Sequence, residues 1–217
     1  MLDYRPPHHK PDILFADPSV LVVSKPAGLL SVPGRAPEHH DCLITRVQVE
    51  FSAAQIVHRL DMSTSGLMVL ACTAAAHRHL SRQFEQRQVS KTYLAVTRGR
   101  VEQAAGHIDL PLICDWPNRP RQIVDHAIGK PARTDYRVLS YDRDRDTTRI
   151  ELYPVTGRTH QLRVHLQQLG HPILGDDLYA DPDTLDRADR LMLHASELSF
   201  RHPLHQNVMR FVDPAPF

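Results

Sequence analysis

The sequence predicts a mixed α+β fold, a mainly antiparallel sheet with flanking helices. Three observations carry this expectation. Short apolar runs recur along the chain, separated by Pro, Gly, Asp and Ser at hairpin spacing. Two segments, near 73–88 and 159–169, repeat apolar residues at helical spacing. Strand-like runs outnumber helical ones, and hairpins impose antiparallel pairing.

Residues 1–12, with two consecutive prolines and no apolar core, are expected to form a loose tail. Ile13 to Phe15 and Val20 to Val23 read as a hairpin closed by Asp17-Pro18-Ser19. Asp41 is a candidate cap for a helix carrying Leu43, Ile44, Val47 and Phe51. A strand follows over 67–72. The segment Thr73 to Gln88 reads as a helix, with Ala76, Leu80 and Phe84 on one stripe. Val89 to Thr97 alternates as a strand, which puts Lys91, Tyr93, Ala95 and Thr97 on one face. Residues 106–133 read as irregular. Strands return over 134–141 and 148–154 around the Asp/Arg turn 142–146. Thr159 is a plausible N-cap for a helix striped by Leu162, Leu166 and Leu169 and stopped at Gly170. A loop over 170–190 and strands near 191–200 and 207–212 close the chain.

The chain's 217 residues fit one large domain or two small ones, and one large domain is expected over 13–217. The formal net charge of +1 is too small to mark a nucleic-acid binder globally, so any RNA surface must come from how the charges are distributed. The N-terminus has neither a signal-peptide core nor a membrane span, and no membrane partner is expected. Three cysteines without a CxxC pair read as reduced thiols of a cytoplasmic protein. None of the fifteen histidines falls into HExxH or finger spacing, so no metal is expected.

The most informative stretch is His58-Arg59-Leu60-Asp61-Met62-Ser63-Thr64-Ser65-Gly66. Apolar residues on both sides make it a strand-loop-strand with one carboxylate, Asp61. A single well-held carboxylate at a strand end is a candidate nucleophile; an Asp capping a Ser/Thr turn is the competing reading. Three further segments carry chemistry-bearing residues: Lys91-Thr92-Tyr93-Leu94-Ala95, Gly157-Arg158-Thr159-His160-Gln161-Leu162-Arg163-Val164-His165, and His171-Pro172-Ile173-Leu174-Gly175-Asp176.

Together, in this order, the four segments resemble the signatures of the RluA family of pseudouridine synthases, and the loop Val23 to Leu30 resembles that family's opening loop. The resemblance covers roughly 13–213. It implies the pseudouridine synthase catalytic-domain fold with a central active-site cleft and no S4-type RNA-binding domain. It implies an isomerase that needs no cofactor: the uracil N1–C1′ bond breaks, the base turns, and C5 joins C1′. The implied catalytic residues are Asp61, Arg163 as its partner, and Tyr93, which stacks on the base and serves in C5 proton transfer. Arg59 could fill the gap left in the RNA stack. His58, Arg158, His160 and Gln161 are expected to line the site. The proline- and arginine-rich segment 111–122, with Trp116, Asn118 and Arg119, is expected to contact RNA; a surface loop whose tryptophan fills a core gap is the alternative. The implied partners are a tRNA anticodon stem-loop and a large-subunit rRNA hairpin, bound by a monomer, with a single tRNA or rRNA target as the alternative.

Two rivals remain. An Asp-nucleophile hydrolase would want Mg²⁺ and a second carboxylate within a residue or two of Asp61, and none is there. A non-catalytic RNA-binding module would keep the basic loop without needing Asp61, Tyr93 and Arg163 together.

Overall fold

The computed structural model describes residues 4–217. The first three positions of the predicted tail lie outside the described residues. Residues 4–11 carry no helix or strand, but they are fastened: the Tyr4 hydroxyl donates to the Asp41 carbonyl at 2.7 Å, and Arg46 donates to the His9 carbonyl at 2.9 Å.

The chain divides into two units. The first runs to Lys91 and takes in Ala195–Pro216; the second holds Thr92–His194 and Phe217. In the first unit, β1 (Asp12–Ala16) and β2 (Val20–Lys25) form the expected hairpin, with Asp17 accepting the Ser19 and Val20 amides at the turn. Helix α1 (Leu43–Gln48) follows, then β3 (Gln55–Ile56), β4 (Ser65–Ala71) and helix α2 (Ala74–Glu85). Strand order is β1-β2-β4-β11, with β11 (Leu193–Arg201) assigned here from Ala195 on; β3 adds to β4 and β12 (Val208–Val212) adds to β11. The β1–β2, β2–β4, β3–β4 and β11–β12 pairings are antiparallel.

β4 is buried at every position, which is why its sequence is a continuous apolar run rather than an alternation. Val20 and Val22 of β2, Leu67 and Val69 of β4, Leu198 and Phe200 of β11, and Ala76 and Leu80 of α2 make one core. Truncating Leu80 to alanine would cost about 2–5 kcal/mol. Thr73, where the helix was expected to begin, is instead its N-cap, the hydroxyl accepting the Ala76 amide at 3.1 Å. The helix stops three residues before the expected Gln88 because Arg87 turns left-handed (φ +58°). At α1 the cap is Cys42, not Asp41; Asp41 instead grips Arg46 with two bonds at 2.6 and 2.7 Å.

In the second unit the strand order is β5-β10-β9-β6, joining β5 (Ser90–Arg98, assigned here from Thr92), β6 (Ala105–Asp109), β9 (Arg133–Asp142) and β10 (Thr147–Pro154). The β10–β5, β10–β9 and β6–β9 pairs are antiparallel. The segment read as irregular holds β6 and a second, separate hairpin, β7 (Leu112–Cys114) against β8 (Gln122–Val124). Helix α3 (Gln161–Gln168) starts from His160 in a left-handed cap (φ 52°, ψ 17°) rather than from Thr159, and stops at Gly170 (φ +88°) as expected. Its Leu162 and Leu166 pack on Ala95, Ile150, Leu152 and Ile173. A short α4 (Pro182–Leu185), capped by Asp181, lies in the 170–190 stretch. No helix among the described residues is long and apolar enough to cross a membrane. Cys42, Cys72 and Cys114 are free thiols.

Candidate active site

Asp61 sits in the first unit, on the loop between β3 and β4, and the residues on either side of it are clamped by the 25–31 segment. The Ser31 hydroxyl donates to the Leu60 carbonyl at 2.7 Å and accepts the Leu60 amide at 3.2 Å. The Met62 carbonyl accepts the Gly28 amide at 2.9 Å and the Lys25 ammonium at 3.0 Å. Lys25 is 0% exposed and also donates to the carbonyls of Pro26 (2.8 Å) and Leu29 (2.7 Å). A buried ammonium with three carbonyl acceptors is satisfied as a structural knot. The Asp61 carbonyl closes a turn by accepting the Thr64 amide at 3.2 Å. The backbone that presents the carboxylate is thus over-determined, which limits its motion.

Gly66 explains the end of the motif. Its φ of +110° excludes most side chains, and a Cβ there would lie 2.4 Å from the Ala195 carbonyl oxygen. Arg59 is exposed beside Asp61. His58 is placed differently from its expected role: its Nε2 accepts the Val69 amide at 3.1 Å, and its ring stacks on Phe84 at 4.4 Å. Desolvation, helped by the positive charge of Lys91, pushes His58 down to about 3, so the ring is neutral at physiological pH. Burial also lowers Lys91. His58 braces the loop.

In the second unit, Tyr93 lies half-buried on β5 opposite Leu152. Arg163, on α3, has a side chain only 3% exposed, which excludes a solvated helix residue. Its Nε donates to Asp176 Oδ2 at 2.9 Å, and its Nη2 donates to Asp176 Oδ1 at 2.5 Å and to Asp177 Oδ1 at 2.7 Å. Asp176, fully buried, also accepts the Leu178 and Tyr179 amides at 3.0 Å. The fork-to-carboxylate geometry fixes the guanidinium plane. Gly175 permits that turn: φ is +70°, and a Cβ would meet the Arg190 carbonyl at 2.0 Å.

Gln161 was expected to line the site, but its amide is saturated. Oε1 accepts from Thr156 (2.7 Å) and the Arg158 amide (3.0 Å), while Nε2 donates to the Arg133 carbonyl (2.9 Å) and Thr134 (3.0 Å). It ties the start of α3 to β9. His160 Nδ1 lies 2.8 Å from the Tyr179 hydroxyl. Arg158 is exposed and reaches the Pro131 carbonyl at 3.2 Å. At the tip of the β7–β8 hairpin, Trp116 is 66% exposed, so it plugs no core gap; Arg119 lies over its ring at 4.9 Å, and Asn118 donates to Asp115 at 3.0 Å. Sequence reasoning missed Lys25, Ser31, Asp176 and Tyr179. Lys25 and Asp176 stood inside quoted motifs, but nothing local in sequence says which residue a side chain meets.

One group of possible metal ligands occurs among the described residues: Asp17, His202 and His205, with ligand atoms within 4.8 Å. His202 Nδ1 accepts the Leu204 and His205 amides at 3.2 and 3.0 Å, so its proton sits on Nε2 and goes to Asp17 at 2.7 Å. A ring with both nitrogens so engaged offers no open lone pair to a metal.

The RNA pseudouridylate synthase family matches this chain over residues 19–168. The dual-specificity RNA pseudouridine synthase RluA of Escherichia coli K12 is 52% identical over 218 aligned positions, covering 100% of this chain and 99% of that protein. The protein of the same name from Yersinia pestis is 54% identical, covering 94% and 99%. Among solved structures, human RNA pseudouridylate synthase domain containing 1 superposes with a TM-score of 0.80 at 32% identity, covering 96% of this chain and 84% of that one. Human RNA pseudouridylate synthase domain containing 4 gives 0.76 at 29%, covering 94% and 88%.

Proposed function

Since this chain belongs to the RNA pseudouridylate synthase family, and is therefore an enzyme that isomerises uridine to pseudouridine in RNA, we propose that it acts on two RNAs, a tRNA anticodon arm and a large-subunit rRNA hairpin. The observation that carries this reading is end-to-end identity of 52% with a relative named as a dual-specificity enzyme. It works as a monomer in the cytoplasm, as a single catalytic domain.

The reaction breaks N1–C1′, turns the uracil, forms C5–C1′, releases the C5 proton to a base and leaves N1 carrying a proton. Asp61 supplies the carboxylate close to the reacting sugar and base; the clamped Leu60 and Met62 support that reading, because a nucleophile must be held. Tyr93 stacks on the base and takes part in C5 proton transfer. Arg163, oriented by Asp176, supports the charge of Asp61. Exposed Arg59 fills the place of the flipped nucleotide. Trp116, Asn118 and Arg119 hold the RNA loop, and Arg158 joins them. His58, His160 and Gln161 position these groups.

Two RNAs with different overall architectures share only local structure, so what the enzyme reads must be a short stem-loop. An isolated hairpin of about 15 to 20 nucleotides should therefore be a competent substrate. Turnover on each minimal hairpin is compared with turnover on the full tRNA and the rRNA fragment. Modification of both hairpins at comparable rates is expected; modification of only one RNA class would replace dual with single specificity.

A further inference from the structure

The β7–β8 hairpin and Arg163 meet at one side chain, Tyr179. Its ring is 7% exposed and packs with Leu112 of β7 and Val164 of α3. Its hydroxyl accepts the Gln122 amide of β8 at 2.8 Å, which leaves the hydroxyl proton for His160 Nδ1, also at 2.8 Å. Arg121 of the hairpin lies over this ring at 5.4 Å, and Arg163 lies over it at 5.2 Å. The Tyr179 amide donates to the same Asp176 oxygen that Arg163 Nη2 holds. One residue thus carries the hairpin on its hydroxyl, and Arg163 on its ring and, through Asp176, on its backbone.

We propose that Tyr179 is a positioning residue that couples engagement of RNA at the β7–β8 hairpin to the orientation of Arg163, its hydroxyl setting how tightly RNA is held and its ring setting how fast bound RNA turns over. The proposal rests on the reading of the hairpin as an RNA contact. Chain connectivity alone would let the hairpin move without consequence for α3. A hydroxyl bonded to both β8 and the cap of α3 makes a shift of one a strain on the other.

The test uses the full chain and an anticodon stem-loop transcript tritiated at uridine C5, with kcat, KM and melting temperature measured for each variant. Tyr179→Phe keeps the ring and loses the hydroxyl; KM should rise about tenfold with kcat within twofold of wild type. Tyr179→Leu also loses the ring, and kcat should fall at least tenfold as well. Trp116→Ala should raise KM, and adding Tyr179→Phe to it should raise KM little further, because both act through the hairpin. A merely structural tyrosine would lower the melting temperature without this split. If Trp116→Ala raises KM and Tyr179→Phe does not, or if the two effects simply add, the coupling is wrong while the hairpin's role stands. If Trp116→Ala leaves KM unchanged, the hairpin's role falls, and the coupling with it. Should Tyr179→Leu not fold, Tyr179→Phe and its cycle with Trp116→Ala decide the matter.

Discussion

Arg163 and Gln161 stand two positions apart on α3 and are both buried, for opposite reasons. Gln161 is neutral and saturated by four bonds, so it braces the fold. Arg163 is charged, and its burial is tolerated because two carboxylates pair with the guanidinium. Helical periodicity puts Arg163 beside the leucine stripe and cannot reveal that Asp176, thirteen residues on, closes over it. The same blindness hid the caps: Cys42 displaced Asp41 because Arg46 took the carboxylate, and His160 adopted a left-handed cap that residue preference disfavours. The place of Asp61 on a loop between two strands was legible because its motif is local. His58, in that motif, makes a prediction at this scale. Its folded value of about 3 lies below the 6.5 of an ordinary histidine. Below pH about 6.5 the unfolded chain takes up a proton that the folded chain refuses, so stability is present above 6.5 and is lost as pH falls toward 3. One such proton contributes at most about 1.4 kcal/mol per pH unit. Urea melts between pH 7 and 5 should show this loss, and His58→Gln should flatten it. An unchanged slope in the variant would mean that the ring is not the group responsible.

At the scale of elements, strands and helices with long, regular patterns were readable: β2, β4, β5, β9, β10 and α2 fall near their expected places. The β7–β8 hairpin was not, because three-residue strands are too short to alternate and its support comes from Tyr179, far along the chain. Its exposed tip makes a prediction. Replacing Trp116 and Arg119 together by alanine removes a stacking platform, and stacking is worth about 1–3 kcal/mol per base. KM for the stem-loop should rise about tenfold or more, with kcat and melting temperature near wild type. A loss of kcat at unchanged KM would place these residues in the chemistry instead.

At the scale of the whole molecule, charge and family tell different things. A net charge of +1 gives no global attraction for RNA. In the proposed binding mode local arginines such as Arg59, Arg119 and Arg121 meet the RNA, and neutralising a few phosphates still releases counterions. The plot of log affinity against log salt should slope at about −2 or steeper, as expected for three or more phosphates at roughly −0.7 each; a flat plot would mean that phosphates are not engaged. The reaction itself became legible from four motifs in a fixed order, while the supports that hold them did not, since each joins residues distant in sequence. The central claim is that the isomerisation runs through the carboxylate of Asp61. Asp61→Asn is nearly isosteric and removes only the negative charge, so Ser31 and Lys25 should still hold the loop. The measurement is tritium release from C5-labelled uridine in tRNA and in the rRNA fragment, beside RNA binding and melting temperature. Turnover of both RNAs is expected to fall at least a thousandfold, with binding and stability close to wild type; residual activity within tenfold of wild type on either RNA would contradict the claim.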